Sequence, residues 1–420
     1  MTIESAGARA RADMRWALTN ATLIDCVDPL PREHATVVID RGRISQVDIG
    51  NTSPLPSDCT RIDLKGAYLL PGLWDVHIHP DYFPFGEMPL VDQVTLFGRR
   101  LMDGLTDAGI VGVRCAGAHD FLDVAWKRAF ESGPYVGPRV YASGYFLTTT
   151  AGHFLHSGHA LECDGPYGFV KAIREQIKNG VDHIKLNLSG GIMGPAWDRH
   201  WHSFLLEDEL QAAFAICKQR EFKVMAHATN PESVKNAIRL GAHSVEHGYI
   251  MDDECIELLL EHGTWYVPTL SVSHLTPRQA SNVWERRWTE HRNLAPSLCC
   301  RAEAASDVHA KWFKTALTAG VKMALGSDSR PLKDAALLEM GLWVKDGATP
   351  WQTLLAATKH AAAICGAADE LGTVEVGKLA DLIVVEANPL EDINNIRQLL
   401  LVIKEGRLVV DKRGADPRGS

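Results

Sequence analysis

The sequence of 420 residues predicts an α/β protein, a (β/α)8 TIM-type barrel with a small β-sandwich domain built from both termini. Between residues 69 and 370, short apolar segments alternate with longer segments of helical periodicity, as in barrels of about 250 residues or more. Both ends instead alternate apolar and polar residues around turn signals, as half-exposed antiparallel strands do. The predicted domains are residues 1–68 together with 371–420, and residues 69–370.

The two ends are each read as strands joined by turns. WALTNATLID precedes ATVVIDRGRISQVDIG, which turns near Gly42. LADLIVVEANPL precedes LLLVIKEGRLVVDKR, where Glu405 and Gly406 mark a hairpin turn. The alternative is a pair of unrelated edge hairpins.

The barrel prediction depends on eight strand segments with helices between them. The predicted strands are PGLWDVHIHP, IVGVRC, RVYASG, VDHIKLNL, FKVMAHA, AHSVEHG, TWYVPTL and VKMALG. The predicted helices are residues 91–109, 120–130, 168–180, 206–220, 232–241, 252–263, 302–320 and 349–366. An open doubly wound sheet is the alternative, but no G-x-G-x-x-G follows the first strand.

Potential metal ligands stand at or next to the ends of these strands. Residues two apart in a strand share a face, so His77 and His79 point to one spot. An isolated H-x-H is also compatible with a structural pair, but four later strand ends add ligands: Lys185, His227, His247 and Asp328. Because barrel active sites gather at the C-terminal strand ends, we expect all six side chains to converge.

Six groups are too many for one tetrahedral ion, so two divalent ions are expected. Imidazole and carboxylate ligands favour Zn²⁺, with Mn²⁺ or Co²⁺ as alternatives. A lysine ammonium would be repelled by two dications and must lose its proton. Neutral Lys185 can react with CO2, and this N6-carboxylation gives an anionic bridging ligand. The alternative is a lysine whose head reaches a surface carboxylate.

Composition excludes several function classes. A net charge of −9 and a pI near 6.1 argue against a nucleic-acid partner. No apolar run has the length of a membrane span or a signal peptide, so no membrane partner is expected. Nine unpatterned cysteines are typical of a reducing compartment. The sequence therefore predicts a cytoplasmic protein that acts on a small-molecule substrate.

The chain resembles the amidohydrolase superfamily, in its imidazolonepropionase-like and Xaa-Pro dipeptidase (prolidase)-like branch. The resemblance is carried by PGLWDVHIHP, HIKLNLSGG, AHATNPESVKNAIRLGAHSVEHG, GSDS and LGTVEVGKLADLIVVEANPLEDI. It implies a binuclear centre in which carboxylated Lys185 bridges the ions; one is held by His77, His79 and Asp328, the other by His227 and His247. Related sequences often read V-R-D after the second strand, whereas this chain has Val113, Arg114 and Cys115.

The resemblance also implies the chemistry. A metal-bridging hydroxide is expected to attack an amide-like carbonyl, and Asp328 is expected to carry the proton to the departing nitrogen. His153 is the best match to a histidine that contacts the substrate in related enzymes, whereas the roles of His156 and His159 stay open. Two alternatives remain. One is a mononuclear deaminase, which lacks the bridging lysine, and the other is a non-enzymatic assembly protein.

Aromatic side chains in the loops predict an apolar or aromatic substrate. Tyr82, Phe83, Trp197 and Trp201 lie in loops that follow barrel strands, and His153 is expected to hydrogen-bond the bound substrate. The same aromatic residues could instead bury a subunit interface, and related enzymes are commonly homo-oligomers. Amides, N-acyl amino acids, dipeptides, carbamates and ureas all remain possible substrates. The roles of His200 and His202 stay open.

Overall fold

The structure is a computed structural model that describes residues 15–50, 52, 54–80, 88–154 and 160–414. Its strands are β1 (Trp16–Leu23), β2 (Arg32–Asp40), β3 (Arg43–Ile49), β4 (Thr60–Asp63), β5 (Tyr68–Pro71), β6 (Leu73–Ile78), β7 (Ile110–Cys115), β8 (Arg139–Tyr141), β9 (Phe146–Thr148), β10 (Ala160–Glu162), β11 (His183–Asn187), β12 (Lys223–Ala228), β13 (Ser244–His247), β14 (Trp265–Val267), β15 (Leu382–Val385), β16 (Leu399–Lys404) and β17 (Arg407–Asp411).

The helices follow most of the central strands. They are α1 (Leu90–Ala108), α2 (Leu122–Glu131), α3 (Gly165–Asn179), α4 (Glu207–Gln219), α5 (Pro231–Leu240), α6 (Asp253–His262), α7 (Leu270–Ser273), α8 (Val283–Arg292), α9 (Pro296–Ala319), α10 (Leu332–Lys345), α11 (Pro350–Ala357) and α12 (Lys359–Ile364). Short 3₁₀ turns occupy His119–Phe121 and Ile393–Arg397. None of the helices in the described part of the chain has the length and apolar character of a membrane span.

The protein is a mixed α/β structure with parallel sheets. Six strands form one sheet in the order β10-β9-β11-β12-β13-β14, and three form another in the order β6-β7-β8. The neighbours from β11 to β14 pair in parallel, and one of the helices α4, α5 and α6 connects each strand to the next. Parallel pairing requires such crossovers, which explains why helical segments separate the apolar strands in the sequence.

Helix α5 shows how the local sequence produces this alternation. Asn230 caps the helix, accepting a hydrogen bond of 3.0 Å from the backbone N–H of Ser233, and Pro231 opens its first turn. Gly241 ends it with a left-handed φ of 95°, a conformation that glycine adopts without steric cost. The helix therefore begins just after β12 and ends just before β13.

The segment predicted as the eighth barrel strand, VKMALG, is not a regular strand, and its Met323 forms an isolated parallel bridge with Tyr266. It also pairs with β6, because the backbone N–H of Val76 donates to the carbonyl of Leu325 at 2.9 Å. The chain then turns sharply, and Asp328 adopts a left-handed φ of 48°. The segment is therefore joined to both neighbouring strands by isolated backbone contacts and forms no regular strand.

Strands from both ends of the chain form one eight-stranded sheet. The order is β17-β16-β15-β5-β1-β2-β3, and β4 pairs with β1. A buried apolar cluster covers this sheet, with Leu18, Val37 and Leu69 from the first part of the chain and Leu382 and Leu401 from the last. These strands belong to a compact unit of the described residues within 1–74, 105–111 and 350–420, and the second unit holds residues 75–104 and 112–349.

Three helices were not predicted from the sequence, namely α7, α8 and α10. Helix α10 is apolar or buried on most of its circumference, so its sequence, LKDAALLEMGLWVK, lacks the periodic contrast that marks a surface helix. Helix α8, VWERRWTEHR, is too polar to show an apolar stripe. The predicted closing helix of residues 349–366 is divided into α11 and α12.

Candidate metal centre

All six predicted ligands line one cavity. His77 lies in β6 and His79 directly follows that strand, whereas Lys185 and His227 lie in β11 and β12. His247 ends β13, and Asp328 lies beyond the Met323 bridge. The structure therefore brings together side chains that are far apart in the sequence, from His77 to Asp328.

Three of these residues have the spacing of a metal site. His77, His247 and Asp328 each offer a ligand atom, and these atoms all lie within 4.8 Å of one another. Nε2 of His79 lies 3.3 Å from Oδ1 of Asp328, and Nε2 of His77 lies 3.7 Å from the same oxygen. The ring centroids of His227 and His247 are 4.4 Å apart.

Hydrogen bonds fix which imidazole nitrogen is available to a metal. Nδ1 of His79 donates to the carbonyl of Gly117 at 3.1 Å, because a carbonyl only accepts. Nε2 of His227 donates to the carbonyl of Gly190 at 3.0 Å for the same reason. Each ring thus keeps one lone pair, on Nε2 of His79 and on Nδ1 of His227, as a metal ligand requires.

Two of the predicted ligands have a buried nitrogen atom without a hydrogen-bond partner among the described residues, namely Nε2 of His77 and Nζ of Lys185. Leaving a buried polar group unpaired costs about 1–3 kcal/mol, and more if the group is charged. Burial lowers the pKa of Lys185 and lowers that of His77 well below its ordinary value. Neutral nitrogen donors beside the carboxylate of Asp328 fit a divalent cation of the zinc type.

A buried ion pair supports His77 from behind. Nδ1 of His77 donates to Oε2 of Glu246 at 2.7 Å, and Nη2 of Arg114 donates to Oε1 at 2.9 Å. Arg114 also donates to the carbonyl of Val76 at 2.8 Å and to Oγ of Ser244 at 3.0 Å. Arg114 of the V-R-C sequence therefore compensates the charge of Glu246, and Glu246 orients His77, a predicted metal ligand.

Glu246 was not predicted as a functional residue. The signal was present in the sequence, because AHSVEHG and IVGVRC each place one charge inside an apolar strand. Opposite charges in two buried strands predict an ion pair.

The backbone at two of the predicted ligands is strained. His247 has a φ of 73° and Asp328 a φ of 48°, both in the left-handed region that such residues seldom adopt. Asp75 holds the turn before Asp328, because it accepts a hydrogen bond of 2.9 Å from the backbone N–H of Ser327 and another from its hydroxyl. Strain that is maintained by neighbouring contacts is typical of functional sites.

The sequence profile of the Amidohydrolase family matches residues 68–409. The chain belongs to this family. It is 31% identical over 403 residues to an ochratoxinase from Aspergillus niger, covering 87% of this chain and 80% of that protein. An imidazolonepropionase from Streptococcus sanguinis is 25% identical over 219 residues, covering 49% of this chain and 44% of that protein.

A solved structure of a Xaa-Pro dipeptidase with bound methionine in the active site has a TM-score of 0.82 and 28% identity, covering 94% of this chain and 99% of that chain. These relatives confirm the predicted superfamily and its imidazolonepropionase-like and prolidase-like branch. The protein is an amidohydrolase, an enzyme that hydrolyses C–N bonds. Enzymes of this superfamily are typically metal-dependent, and the His77, His247 and Asp328 cluster is consistent with that property.

His153 of this amidohydrolase lines the cavity and forms a dyad with Asp198. Nδ1 of His153 donates a hydrogen bond of 2.8 Å to Oδ2 of Asp198. The buried carboxylate also accepts a hydrogen bond of 2.8 Å from the backbone N–H of Gly191. The His153 ring stacks on His227 with centroids 4.1 Å apart. Because Nδ1 is engaged, Nε2 is the nitrogen that remains for a substrate.

The loop that carries Asp198 is tied to Arg301, another residue that the sequence analysis missed. One guanidinium donates to several backbone carbonyls of this loop, those of Gly191, Gly194, Pro195 and Asp198. Arg301 has no distinctive motif around it, and only the folded loop reveals its role.

None of the four aromatic residues predicted to contact the substrate is seen to line the cavity in the described part of the structure. Tyr82 and Phe83 lie outside the described residues, as do His156 and His159. Trp197 and Trp201 are 45% and 53% exposed and are not among the residues that line the cavity. The apolar lining comes instead from Phe146, Phe154, Ile192, Met193 and Val272.

The two histidines of the loop after β11 have different environments. His200 is buried, and its ring lies 6.0 Å from that of Tyr249. Burial lowers the pKa of His200 to about 4. His202 is exposed. Neither residue lines the cavity.

Proposed function

We propose that this amidohydrolase is a binuclear metal-dependent hydrolase that cleaves an amide-like C–N bond of a small substrate with an apolar or aromatic group. The observation that carries the proposal is Lys185, whose buried Nζ has no partner among the described residues and lies in a cavity with five histidines and Asp328. A lysine with a lowered pKa in such a place is suited to carboxylation. A mononuclear deaminase lacks a bridging lysine, so Lys185 argues against that alternative.

The proposed ligand sets follow the resemblance. His77, His79 and Asp328 would hold one ion, His227 and His247 the other, and N6-carboxylated Lys185 would bridge them. Two dications contribute four positive charges, and Asp328 and the carbamate contribute one negative charge each. The proposed centre therefore remains net positive. Zn²⁺ is the proposed metal because the donors are mainly imidazole, and Mn²⁺ or Co²⁺ are alternatives.

Asp328 and His153 have different proposed roles in hydrolysis. When bound, the ions would supply Lewis-acid polarisation of the scissile carbonyl and an activated water nucleophile. Asp328 accepts the proton of the attacking water on a carboxylate oxygen and delivers it to the departing nitrogen. His153, held by Asp198, would form a hydrogen bond through Nε2 with the carbonyl or a nearby substrate group.

The cavity supports an apolar or aromatic substrate. Its apolar lining includes Phe146, Phe154 and Val272, whereas Trp197 and Trp201 would contribute only if their loop moved towards it. Relatives named ochratoxinase and Xaa-Pro dipeptidase support a small amide-like substrate. We also propose that the protein is a homo-oligomer. The exposed side chains of Trp197 and Trp201 support this, because exposed aromatic residues often lie in subunit interfaces.

We also propose a closed (β/α)8 barrel for residues 69–370 and a β-sandwich for residues 1–68 and 371–420. The Tyr266 to Met323 bridge and the hydrogen bond from Val76 to Leu325 support barrel closure. The eight-stranded sheet supports the composite domain. The nine cysteines are all free and several are buried, which supports a reducing, cytoplasmic location.

Metal analysis of protein purified without chelator tests the proposal. We expect about two ions per chain, with activity in proportion to metal content, whereas one ion and release of ammonia would support a deaminase. A panel assayed with zinc, manganese and cobalt enzyme tests the substrate. We expect higher kcat/KM for bulky apolar or aromatic amides, carbamates or ureas than for Gly-Pro, and the reverse order would refute the apolar pocket.

A further inference from the structure

Asn187 is a buried side chain of the cavity to which the proposed function gives no role. It is the last residue of β11, it lines the cavity, and it is 2% exposed. Residues two apart in a strand share a face, so Asn187 stands on the same face of β11 as Lys185. It is also closer than Lys185 to the C-terminal end of the strand, where barrel enzymes bind their substrates. Asn187 is therefore placed to contact a bound substrate beside the proposed metal centre.

The side-chain amide of Asn187 is held at its nitrogen end. Nδ2 donates a hydrogen bond of 3.3 Å to the backbone carbonyl of His153. Because a carbonyl only accepts, this contact assigns the nitrogen to that end of the amide and the oxygen to the other end. Oδ1 is buried and has no hydrogen-bond partner among the residues that the structure describes. The side chain therefore presents an unpaired acceptor in a fixed orientation.

A buried acceptor of this kind favours a donor that comes from outside the chain. Leaving the oxygen unpaired is costly, and the cost is recovered when a bound molecule brings an N–H or O–H group. The ions of the proposed centre do not need this oxygen, because their ligands are already assigned. A secondary amide, carbamate or urea brings one donor to the bond that is cut, namely the N–H of its nitrogen. A prolyl nitrogen carries no hydrogen and brings none.

We propose that Oδ1 of Asn187 accepts a hydrogen bond from the N–H of the scissile bond. The preferred substrates are then amides, carbamates or ureas whose scissile nitrogen carries a hydrogen, rather than tertiary amides such as Xaa-Pro dipeptides. The inference rests on the proposed function, which it narrows to one substrate class. A hydrogen bond to the N–H leaves the lone pair of the departing nitrogen free for the proton that Asp328 delivers. Asn187 is thus a residue that determines specificity.

Three compounds that share an acetyl and a benzyl group test this inference in the metal-loaded enzyme. They are N-benzylacetamide, N-benzyl-N-methylacetamide and benzyl acetate, and only the first has a hydrogen at the scissile bond. Because their intrinsic reactivities differ, the measured quantity is the ratio of kcat/KM for the first compound to kcat/KM for each of the others, compared between variants. We expect both ratios to fall about 10-fold or more from wild type to Asn187→Leu, since the N–H is then buried without an acceptor.

Asn187→Asp separates the two ends of the amide. Both Asn187→Asp and Asn187→Leu lose the donor to the carbonyl of His153. A displaced His153 therefore slows all three compounds in both variants, and this loss cancels in the ratios. Only Asn187→Asp keeps an oxygen acceptor at the position, so its ratios should stay near those of the wild type.

Two further variants complete the set. Asn187→Ala removes the acceptor with a smaller side chain and should reproduce the loss if Asn187→Leu does not fold. Asn179→Leu is the matched control, because Asn179 ends α3 and is exposed. It should keep the wild-type ratios. Metal content and melting temperature are measured on every preparation.

Wild-type ratios in Asn187→Leu and Asn187→Ala would overturn the inference. So would ratios that fall equally in Asn187→Asp, because the effect would then come from the contact of Nδ2. If the wild type hydrolyses none of the three compounds, the proposed reaction fails, and calorimetric binding of the same compounds to the metal-loaded proteins tests the acceptor alone. Binding of N-benzylacetamide that weakens in Asn187→Leu more than binding of the other two would uphold the acceptor, whereas equal weakening or no binding would refute it.

Discussion

Nδ1 of His77 donates a hydrogen bond of 2.7 Å to Glu246, and the two side chains are 1% and 0% exposed. The carboxylate accepts, so the imidazole carries its proton on Nδ1 and presents the lone pair of Nε2 to the cavity. Arg114 holds the other carboxylate oxygen at 2.9 Å, which prevents Glu246 from rotating. The orientation of one proposed ligand thus depends on an ion pair behind it.

Replacing Glu246 should weaken metal binding without removing any ligand. In Glu246→Gln the anion that orients His77 is lost and Arg114 is left without its charge partner, so we expect a loss of metal affinity of about 10- to 100-fold. Competition with a fluorescent zinc chelator measures it. Glu254→Gln is the control, since Glu254 is about half-exposed and pairs with surface cations. Equal zinc retention in both variants would contradict the orienting role.

Lys185 should be needed for the metal centre itself. In Lys185→Ala the bridging carbamate cannot form, so metal content and activity should fall together. A short carboxylic acid such as acetate or propionate should restore part of both, because it can occupy the vacated bridging position. Metal content by mass spectrometry and turnover with added acid are the measurements. Full activity of Lys185→Ala without added acid would exclude the bridging role.

How far the sequence predicted this site depends on whether a residue's role is local. His77, His79 and His227 lie at ends of short apolar strands, and the rule that barrel ligands gather there placed them in one cavity. The charges of Glu246 and Arg114 inside apolar strands indicate an ion pair, but no local pattern specifies that Glu246 also contacts His77 or that Arg301 binds a distant loop. Their roles became visible only with the fold.

The fold shows the same division. The amphipathic helices between β11 and β14 were predicted within a few residues, because each has an apolar face and a clear start or stop signal. Helix α10 was missed because it is apolar on most sides, so its burial hides the periodicity of a surface helix. The segment predicted as the eighth strand forms isolated backbone contacts rather than a regular strand.

The two proposed roles of Asp328, metal ligand and proton carrier, should be separable by substitution. In Asp328→Asn the side chain can still offer an oxygen to the metal but cannot take up a proton, so we expect most of the metal to remain. Turnover should fall by at least about 100-fold, the usual contribution of positioned acid–base catalysis. Circular dichroism, metal content and kcat are measured on the same preparation. Near-normal kcat with unchanged metal would leave Asp328 as a ligand only.

Arg301 should control the position of His153 although it does not line the cavity. Its guanidinium donates to the carbonyls of Gly191 and Gly194 at 2.6 Å each, and so fixes the loop whose Asp198 holds His153. A loop shift of about 1 Å is enough to cost up to about 100-fold in rate when it misplaces a substrate-contacting group.

Arg301→Met removes every one of these donors, and Arg301→Lys keeps only a point charge, so we expect kcat/KM to fall in the order wild type, Lys variant, Met variant. Metal content should stay constant, because none of the proposed metal ligands contacts Arg301 through these hydrogen bonds. Arg278→Met is the control, since that side chain is 85% exposed.

Combining Arg301→Met with His153→Ala tests whether Arg301 acts through His153. If the arginine acts through His153, the double variant should be no slower than His153→Ala alone, whereas additive losses would show that the loop affects catalysis by another route.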